Sequence, residues 1–464
     1  MKDDIEILDI FDTKKKTVQA PVEETVPKKR MDMHEPPKKK KKVKAKAFQV
    51  LFCSVSFLFI LGCLIYYGSR FIKYYRIYNP KVDAGNGEVL LAKSITGNSE
   101  IVYEGDGLYS SSGNYIYKGD VKNNYIKYNN MLWRIVKINM DNSIEIILDD
   151  YVSILPWHKS SVAFTQSDMY EYLNKTILNN LDKEMLVKNS ICEDKIDDLS
   201  NITCDNQNNE IDIKLLDITG FLNSVKDGKS YLVKSDEIFW LSDYNDNKVW
   251  HTNGINISKS DANTFYEVRP VVKLKNTVTY KEGEGTLDSP YIVDKETKLS
   301  VGSTVVLGED EWLVYDVNDG IRLMRKNVLS EKHLFDKNNF EYNPGYEDSL
   351  AEYLNTTYLD SLSYKNMIVN TDWYIGSYKD SLKDIKGNKV LAKVGIPSLL
   401  DIKLDSSINA YYLLTSHEDI IYVYENPLRP SRVTSKRDIR PCITISKDDA
   451  NKLKLKDGKF VVEE

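Results

Sequence analysis

The chain contains a large internal repeat. Five sequence blocks occur twice in the same order, with the two copies about 175 residues apart. The paired blocks are Trp133-Arg134-Ile135-Val136 with Trp312-Leu313-Val314-Tyr315, Glu171-Tyr172-Leu173-Asn174 with Glu352-Tyr353-Leu354-Asn355, Leu215-Leu216-Asp217-Ile218 with Leu399-Leu400-Asp401-Ile402, Tyr231-Leu232-Val233 and Phe239-Trp240-Leu241 with Tyr411-Tyr412-Leu413-Leu414 and Ile420-Ile421-Tyr422-Val423, and Val268-Arg269-Pro270-Val271 with Ile439-Arg440-Pro441-Cys442. Five blocks in one order indicate a tandem duplication, in which each copy is a module with its own core.

Each copy combines strand and helix signals. Trp133 and Trp312 lie in apolar runs that are followed by a polar turn and a second apolar run, which is typical of an antiparallel hairpin. In the next block, Met169, Leu173 and Ile177 recur every four residues, as on the buried face of a helix. The sequence therefore predicts an α+β fold, in which each loop-rich module mixes a helix with an antiparallel sheet.

A glutamate recurs in both helix blocks, as Glu171 and Glu352. A repeated carboxylate could serve in acid/base chemistry. However, Asp168 and Ser349 stand three residues earlier, where a capping box has its N-cap residue. We therefore expect both glutamates to have a structural role at the helix start.

An Arg-Pro pair lies in the last block of each copy. Strand alternation places Arg269 on the same face as Val271, and Arg440 on the same face as Cys442, so this face is at least partly covered. A covered guanidinium needs acceptors for its five N–H groups. We expect both arginines to be buried clamps that tie a loop to the sheet.

An apolar segment precedes the repeats. Residues 47–67 carry no charge, and as a helix they would rise about 30 Å, the thickness of a bilayer core. A lysine run precedes them, so the positive-inside rule places the N-terminus in the cytoplasm. The predicted order is a disordered basic cytoplasmic tail at 1–46, a single-pass transmembrane signal anchor at 47–67, a stalk at 68–104, extracellular module 1 at 105–282, a join at 283–296 and extracellular module 2 at 297–464.

Charge and cysteine content limit the partners. The formal net charge is −6 although the first 46 residues are basic, so the remainder is acidic, which argues against nucleic acid as a partner. Cys192 and Cys204 share one polar stretch outside the predicted membrane and are expected to form a disulfide. Cys442 occupies the position of Val271 and is expected in the core.

Catalytic and metal-binding patterns are absent from the sequence. The five histidines show neither helical pairing nor a repeated position, so we predict no catalytic residue, metal or cofactor. Asp243-x-Asn245-x-Asn247 has calcium-loop spacing, but lacks the glycine and the glutamate of such a loop. An aromatic side chain beside amide and carboxylate oxygens suits a sugar. The candidate ligand-binding residues are Trp240, Asp243, Asn245, Trp250 and His251.

Residues 105 to 464 resemble a known group of sequences. The residues that carry this likeness are Gly107-Leu108-Tyr109, Tyr115-Ile116-Tyr117-Lys118-Gly119, Asn123-Asn124-Tyr125-Ile126, Leu132-Trp133-Arg134-Ile135-Val136, the Val-Arg-Pro-Val ending and the Gly-x-Gly-Thr join at Gly283. They look like an uncharacterised Firmicutes cell-surface repeat family, which in turn resembles the sulfatase-modifying-factor and C-type-lectin-like superfamily. That resemblance implies a compact mixed module with long, irregular loops.

The functional expectation is a membrane-anchored bacterial cell-surface protein. Its two modules would bind or display a glycan, wall polymer or protein ligand. One alternative is an envelope enzyme of the sulfatase-modifying-factor-like class, and another is an assembly or signalling subunit acting through its tail. A pocket with two titratable groups of strongly shifted pKa would favour the enzyme, and a shallow aromatic groove would favour the binding protein.

Overall fold

The structure is a computed structural model of the chain. It describes residues 66–67, 89–200, 202–234, 237–293, 298–376, 388–404, 410–417, 420–425 and 427–462. The predicted tail at 1–46 lies outside the described residues, as does the predicted anchor at 47–67 except for Tyr66 and Tyr67. Both sequence copies lie within one compact unit, Lys73–Glu464.

The predicted membrane span is corrected by the structure. Among the described residues, no helix has both the length and the apolar character needed to cross a bilayer. The longest of their helices, Leu91–Asn98, has 8 residues and would rise only about 12 Å. Within the described residues, this finding contradicts the prediction of a single-pass protein localised to a cell membrane.

The helices of the described residues are short. They are α1 (Leu91–Asn98), α2 (Asp168–Tyr172), α3 (Ile218–Ser224), α4 (Leu350–Tyr353), α5 (Leu359–Ser361) and α6 (Lys447–Ala450). Wider π turns follow α2 and α4 at Leu173–Ile177 and Leu354–Tyr358. Tighter 3-10 turns lie at Phe164–Gln166, Leu178–Asn180, Lys183–Met185 and Lys365–Met367.

Strands make up most of the regular structure. In the first copy they are β1 (Val89–Leu90), β2 (Gly107–Ser111), β3 (Asn114–Lys118), β4 (Tyr125–Tyr128), β5 (Met131–Ile138), β6 (Ile144–Leu148), β7 (Ser153–Leu155), β8 (Asn189–Cys192), β9 (Gln207–Ile211), β10 (Ile213–Lys214), β11 (Trp240–Tyr244), β12 (Val249–Asn253), β13 (Asn256–Ser260), β14 (Tyr266–Val268), β15 (Val271–Leu274), β16 (Thr279–Tyr280) and β17 (Tyr291–Ile292). In the second they are β18 (Thr304–Leu307), β19 (Asp310–Asp316), β20 (Ile321–Arg325), β21 (Thr371–Tyr374), β22 (Lys389–Ala392), β23 (Val394–Gly395), β24 (Tyr411–His417), β25 (Ile420–Tyr424), β26 (Arg429–Ser431), β27 (Cys442–Ile445), β28 (Leu453–Lys456) and β29 (Lys459–Val462).

The predicted α+β, C-type-lectin-like class is therefore wrong. The described residues form many small sheets with few helices. The helix predicted from Met169, Leu173 and Ile177 exists, but it widens into a π turn and ends soon afterwards. Runs of β-branched and aromatic residues, such as Ile144–Leu148, instead supply most of the core as strands.

The duplication is visible in the topology. The larger sheet of the first copy has the order β10-β15-β6-β5-β3-β2, with β4 pairing β5 and β17. The second has β23-β27-β20-β19-β18-β29-β28. The order β10-β15-β6-β5-β4-β17 thus recurs as β23-β27-β20-β19-β18-β29. A three-stranded sheet also recurs, as β11-β12-β13 and β24-β25-β26. This match aligns Phe239 with Tyr411 and corrects the fourth repeat block, which paired Phe239 with Ile420.

The predicted join contributes to the first copy. Tyr291 and Ile292 pair in parallel with Ile126 and Lys127 of β4. In the second copy, β29 makes the same parallel pairing with β18. Part of the predicted stalk also folds, because α1 packs its buried residues Leu91 and Ile95 into the core.

The two arginines are buried, as the sequence predicts, but Nη2 of each has no hydrogen-bond partner among the described residues. Arg269 is 1% exposed, and its Nε donates to Leu148 O at 3.0 Å while Nη1 donates to Leu232 O. Arg440 is 0% exposed, and its Nε and Nη1 donate to Arg325 O at 2.9 Å and Leu404 O at 3.0 Å. Both clamps tie a chain segment to the sheet.

The helix caps follow the prediction in one copy only. In the second copy, the Ser349 hydroxyl accepts from Glu352 N at 3.0 Å, and the Glu352 carboxylate accepts from Asp348 N at 2.6 Å. In the first copy, the cap is Ser167 rather than Asp168, and its hydroxyl accepts from Tyr170 N at 3.1 Å. The cap lies one residue earlier than predicted because the backbone at Ser167 is extended and Asp168 is the first helical residue.

The copies contact each other directly. Ser153 Oγ of the first donates to Leu399 O of the second at 2.5 Å, and Lys403 N donates to Val152 O at 2.8 Å. Val317 N donates to Asn180 Oδ1 at 2.9 Å. These bonds join the two copies into one structure.

Removing one clamp should destabilise the protein. Arg440→Met keeps an unbranched apolar chain but leaves two buried carbonyl groups without donors. We expect the free energy of unfolding to fall by about 3 kcal/mol, measured by urea unfolding. Arg429→Met is the control, because the Arg429 side chain is 54% exposed. Equal effects of the two substitutions would contradict the clamp.

Candidate functional site

A cavity of about 260 Å³ lies in the first copy. It is enclosed by β3, by the bulge in β5 beside β6, by β10 and α3, and by the β8–β9 hairpin. Its lining residues are Ile116, Val136, Lys137, Glu145, Ser190, Ile191, Cys192, Ile196, Ile202, Thr203, Cys204, Gln207, Lys214, Leu216, Asp217, Thr219, Gly220, Asn223 and Asp243. Apolar walls with a few convergent polar groups are typical of a small-molecule site.

A disulfide-bonded loop forms one wall of the cavity. Cys192 and Cys204 are joined, as their spacing predicts. Between them, Ile196 is buried, its N–H donates to Tyr244 O at 2.9 Å, and its carbonyl accepts from Trp250 Nε1 at 2.8 Å. The wall is thus held by a covalent link and by hydrogen bonds to β11 and β12.

A buried lysine lies among the polar lining residues. Lys214 is 3% exposed, and its ammonium lies 3.2 Å from Asp217 Oδ2 and 3.6 Å from Glu145 Oε2. Burial alone would lower the pKa of Lys214, but Glu145 and Asp217 raise it above its ordinary value. Lys214 therefore stays protonated and can donate to a ligand.

Two aspartates have pKa values that move in opposite directions. Burial, followed by the charge of Asp217, raises the pKa of Asp243 to about 7. Burial would also raise the pKa of Asp217, but Lys214 and the N–H of Gly220, which donates to Asp217 Oδ1 at 2.6 Å, hold it below its ordinary value. Asp217 is therefore the ionised member of the pair, and Asp243 titrates near neutral pH.

The second copy fills the corresponding space. Lys214 faces Val271 and Gly395 faces Cys442, so the Arg-Pro strands align these two positions. The bridges of Leu186 to Leu274 and of Ile368 to Ile445 align the preceding strands, and five residues further on Ile191 aligns with Trp373. The Trp373 ring packs so closely on Gly395 that a Cβ there would meet it at 2.4 Å, and the Arg322 guanidinium lies 5.6 Å from the ring centre.

Other substitutions accompany this filling. Both copies have a bulge in the strand that carries the tryptophan, β5 or β19. The bulged residue is Val136 in the first copy and the buried Tyr315 in the second. Lys137 and Glu145 face each other in the first copy, whereas Asp316 and Arg322 do so in the second, with the charges exchanged. These differences leave the cavity open in the first copy.

The predicted aromatic ligand residues belong to the core. Trp240 is 0% exposed and its Nε1 donates to Leu155 O at 2.8 Å. Trp250 is 4% exposed. His251 is buried, which lowers its pKa, and its two ring nitrogens lie 2.8 Å from Thr252 O and Ser260 Oγ. The expectation of an exposed aromatic surface is corrected, because β11 and β12 are covered on both faces.

The remaining predicted positions are divided between turn, cavity and core. Asn245 Oδ1 accepts from Asn247 N at 3.1 Å and Lys248 N at 2.8 Å, so it organises the β11–β12 turn. Asp243 alone of the five predicted ligand residues lines the cavity. Trp133 and Trp312 are fully buried core residues. The sulfurs of Cys192 and Cys204 lie near Asp194, but they are bonded to each other, so neither is a thiolate ligand.

Sequence reasoning missed Glu145, Lys214 and Asp217. Leu-Leu-Asp was recognised as a repeated block, but the repetition concealed what its Asp217 contacts. The signal that could have found the site is a difference between the copies rather than a repetition. Positions where the side chains differ in size, such as Ile191 and Trp373, line the open space.

Comparison with known proteins identifies no relative: no family model, no curated protein and no solved structure matches this chain. The resemblance to Firmicutes surface repeats therefore stays a prediction. The geometry of the cavity is the observation from which a function can be inferred.

The disulfide should stabilise the wall of the cavity. Its loss in a Cys192→Ser, Cys204→Ser double variant should lower the free energy of unfolding by about 3 kcal/mol, because it closes a short loop of the unfolded chain. Urea unfolding measures the change. Reductant should shift the wild-type protein equally and leave the variant unchanged. An unaltered midpoint in both tests would contradict a stabilising bond.

Asp243 should make stability depend on pH. Because its pKa is raised to about 7 in the folded protein, folding is favoured while it is protonated and loses stability as pH rises from about 4 to about 7. Asp243→Asn keeps an acceptor for Ile218 N but cannot ionise. The variant should therefore gain stability relative to wild type across that range, as measured by urea unfolding. Asp288→Asn, at an exposed site, is the control and should show no such trend; a flat difference for Asp243→Asn would contradict the assignment.

Proposed function

We propose that this chain is a binding protein whose first copy holds a small polar molecule in the cavity beside Lys214. The observation that carries the proposal is the contrast between the copies. The chain builds the same sheet twice and fills the corresponding space with Trp373 and Tyr315 in one copy. In the other copy it leaves about 260 Å³ open.

An open space of this size is unfavourable for folding. The side chains that line it forgo packing contacts that their counterparts make in the filled copy. The second copy demonstrates that aromatic side chains fit this fold at the two positions. The first copy has the smaller Ile191 and Val136 at those positions, and we infer from this that the open space has a function.

The lining also favours a small ligand over a large one. Lys214 can donate a hydrogen bond, and the carboxyl groups of Glu145, Asp217 and Asp243 can accept. Ile116, Ile191 and Ile202 supply apolar walls to the same cavity. Of the ligand classes expected from the sequence, a single sugar-sized molecule fits such a volume better than a polymer or a protein surface.

A hydrolytic enzyme is the second candidate function, because a cavity with two titratable groups of shifted pKa is the feature expected of an enzyme rather than of an aromatic binding groove. The pKa values of Asp217 and Asp243 move apart, so one carboxyl group could act as base and the other as acid. If this candidate holds, a compound that binds should be converted on incubation, and Asp243→Asn should abolish conversion. If mass spectrometry shows that the compound is unchanged, only the binding function remains.

Filling the cavity should abolish binding. We expect a screen of small polar compounds against the full chain to find some that raise its melting temperature. Val136→Tyr and Ile191→Trp introduce the residues of the second copy and should remove these shifts by occupying the space. The two variants act from different walls, so a folding defect in one leaves the other as the test.

The matched control is Tyr315→Val, which makes the opposite change in the second copy. It should lower stability through lost packing but leave the ligand-induced shift intact. Shifts that survive both filling variants would contradict the cavity as the site, and a screen in which no compound shifts the wild-type protein would contradict the proposed function.

A further inference from the structure

We propose that the ligand of this cavity carries a primary ammonium group, which pairs with the Asp243 carboxylate. The inference rests on the proposed function and names the chemical class of the ligand. It depends on which charges in the cavity have partners and on what the second copy has at the same positions.

Asp243 is a buried carboxyl group with no close ion pair, and the nearest charge that favours its ionised form is that of Lys214. It is 6% exposed, and its Oδ2 accepts from Ile218 N at 2.7 Å. Among the described residues, no lysine, arginine or histidine nitrogen lies within 4.0 Å of it, the distance that defines an ion pair. A buried charge is unfavourable unless it is paired.

The other carboxylates of the cavity are already compensated. Glu145 faces Lys137 on β5 and Lys273 on β15 across the sheet, and it also lies 3.6 Å from Lys214. Asp217 takes the nearer position to Lys214, at 3.2 Å. Lys214 also lowers the pKa of Asp243, but it forms its ion pairs with Asp217 and Glu145, so Asp243 is the carboxyl group of the three that has no ion pair.

The fold does not need a charge at Asp243. In both copies an isolated bridge joins the start of the three-stranded sheet to the residue two positions before the clamp arginine. Phe239 bridges to Glu267, and Tyr411 bridges to Asp438. Counting from these bridges aligns Asp243 with Thr415. The register of Lys214 and Gly395 aligns Ile218 with Leu399, which corrects the repeat block that paired Ile218 with Ile402. Thr415 Oγ1 accepts from Leu399 N at 3.2 Å, so a neutral hydroxyl performs the same backbone contact in the second copy.

At this position, therefore, an acid is present only in the copy with the cavity. An ammonium ligand would donate to Asp243, and its hydroxyl groups could accept from Lys214. Because the pKa of Asp243 lies at about 7 in the ligand-free protein, binding near neutral pH should release the Asp243 proton to solvent as the ion pair forms.

Paired probes of equal size test this inference. D-glucosamine and D-glucose differ by one ammonium in place of one hydroxyl, and ethanolamine and ethylene glycol differ in the same way. We expect at least one amine to bind the full-length protein about tenfold or more tightly than its hydroxyl partner, the difference between a charge-assisted and a neutral hydrogen bond. Isothermal titration calorimetry measures both affinities.

Substitutions in the cavity test whether Asp243 causes the preference for amines. Asp243→Asn and Asp243→Thr should remove the preference for the amine, and Val136→Tyr should remove binding of both partners. Titration in buffers of different ionisation enthalpy should show proton release on amine binding to wild type and none to Asp243→Asn.

The inference is overturned if neutral compounds bind as well as amines, if only neutral or anionic compounds from the screen bind, or if the preference survives in Asp243→Asn. In those cases, loss of binding in Val136→Tyr would still support the cavity as the site. If nothing binds to wild type, both the inference and the proposed function fail.

Discussion

The buried arginine that ends each copy organises the rest of its module. Arg269 donates to Leu148 O at the end of β6 and to Leu232 O in the segment before β11, and its guanidinium lies 4.8 Å from the Phe239 ring. One side chain thus joins the large sheet, the connecting segment and the small sheet. Because a guanidinium presents its donors in a fixed plane, it sets the relative geometry of the three.

The same arrangement recurs around Arg440, which contacts Arg325 O, Leu404 O and the Tyr411 ring. Leu148 and Arg325 are aligned positions, as are Phe239 and Tyr411. One of the two accepting residues has changed, from Leu148 to Arg325, whereas both bonds still go to backbone carbonyls. A clamp that binds main-chain atoms tolerates side-chain divergence, because every residue supplies a carbonyl.

This tolerance explains how one fold yields a filled copy and an open one. The strand that follows the clamp arginine, β15 or β27, pairs with β10 in the first copy and with β23 in the second. Lys214 and Gly395 therefore occupy equivalent positions. A glycine admits the Trp373 ring, whereas Lys214 places an ammonium beside Glu145 and Asp217. The cavity is thus a local change of side chains on an unchanged backbone frame.

The sequence by itself determined the duplication, the disulfide partners and the burial of the two arginines. Each depends on order, spacing or strand alternation, which are properties of the chain read locally. It failed on fold class, because the helical spacing of Met169, Leu173 and Ile177 was real but covered only a short segment between many strands. It also misplaced Trp240 and Trp250, since covering by other elements is not visible in local composition.

Only the tertiary structure decided the candidate site. Glu145, Lys214 and Asp243 lie on separate strands, and their proximity follows from sheet register and from the clamp rather than from any motif. Whether Asp243 has a cationic partner is likewise a matter of distances between distant parts of the chain. Charge pairing and empty volume depend on what surrounds a residue from all sides, and that information appears only when the chain is folded.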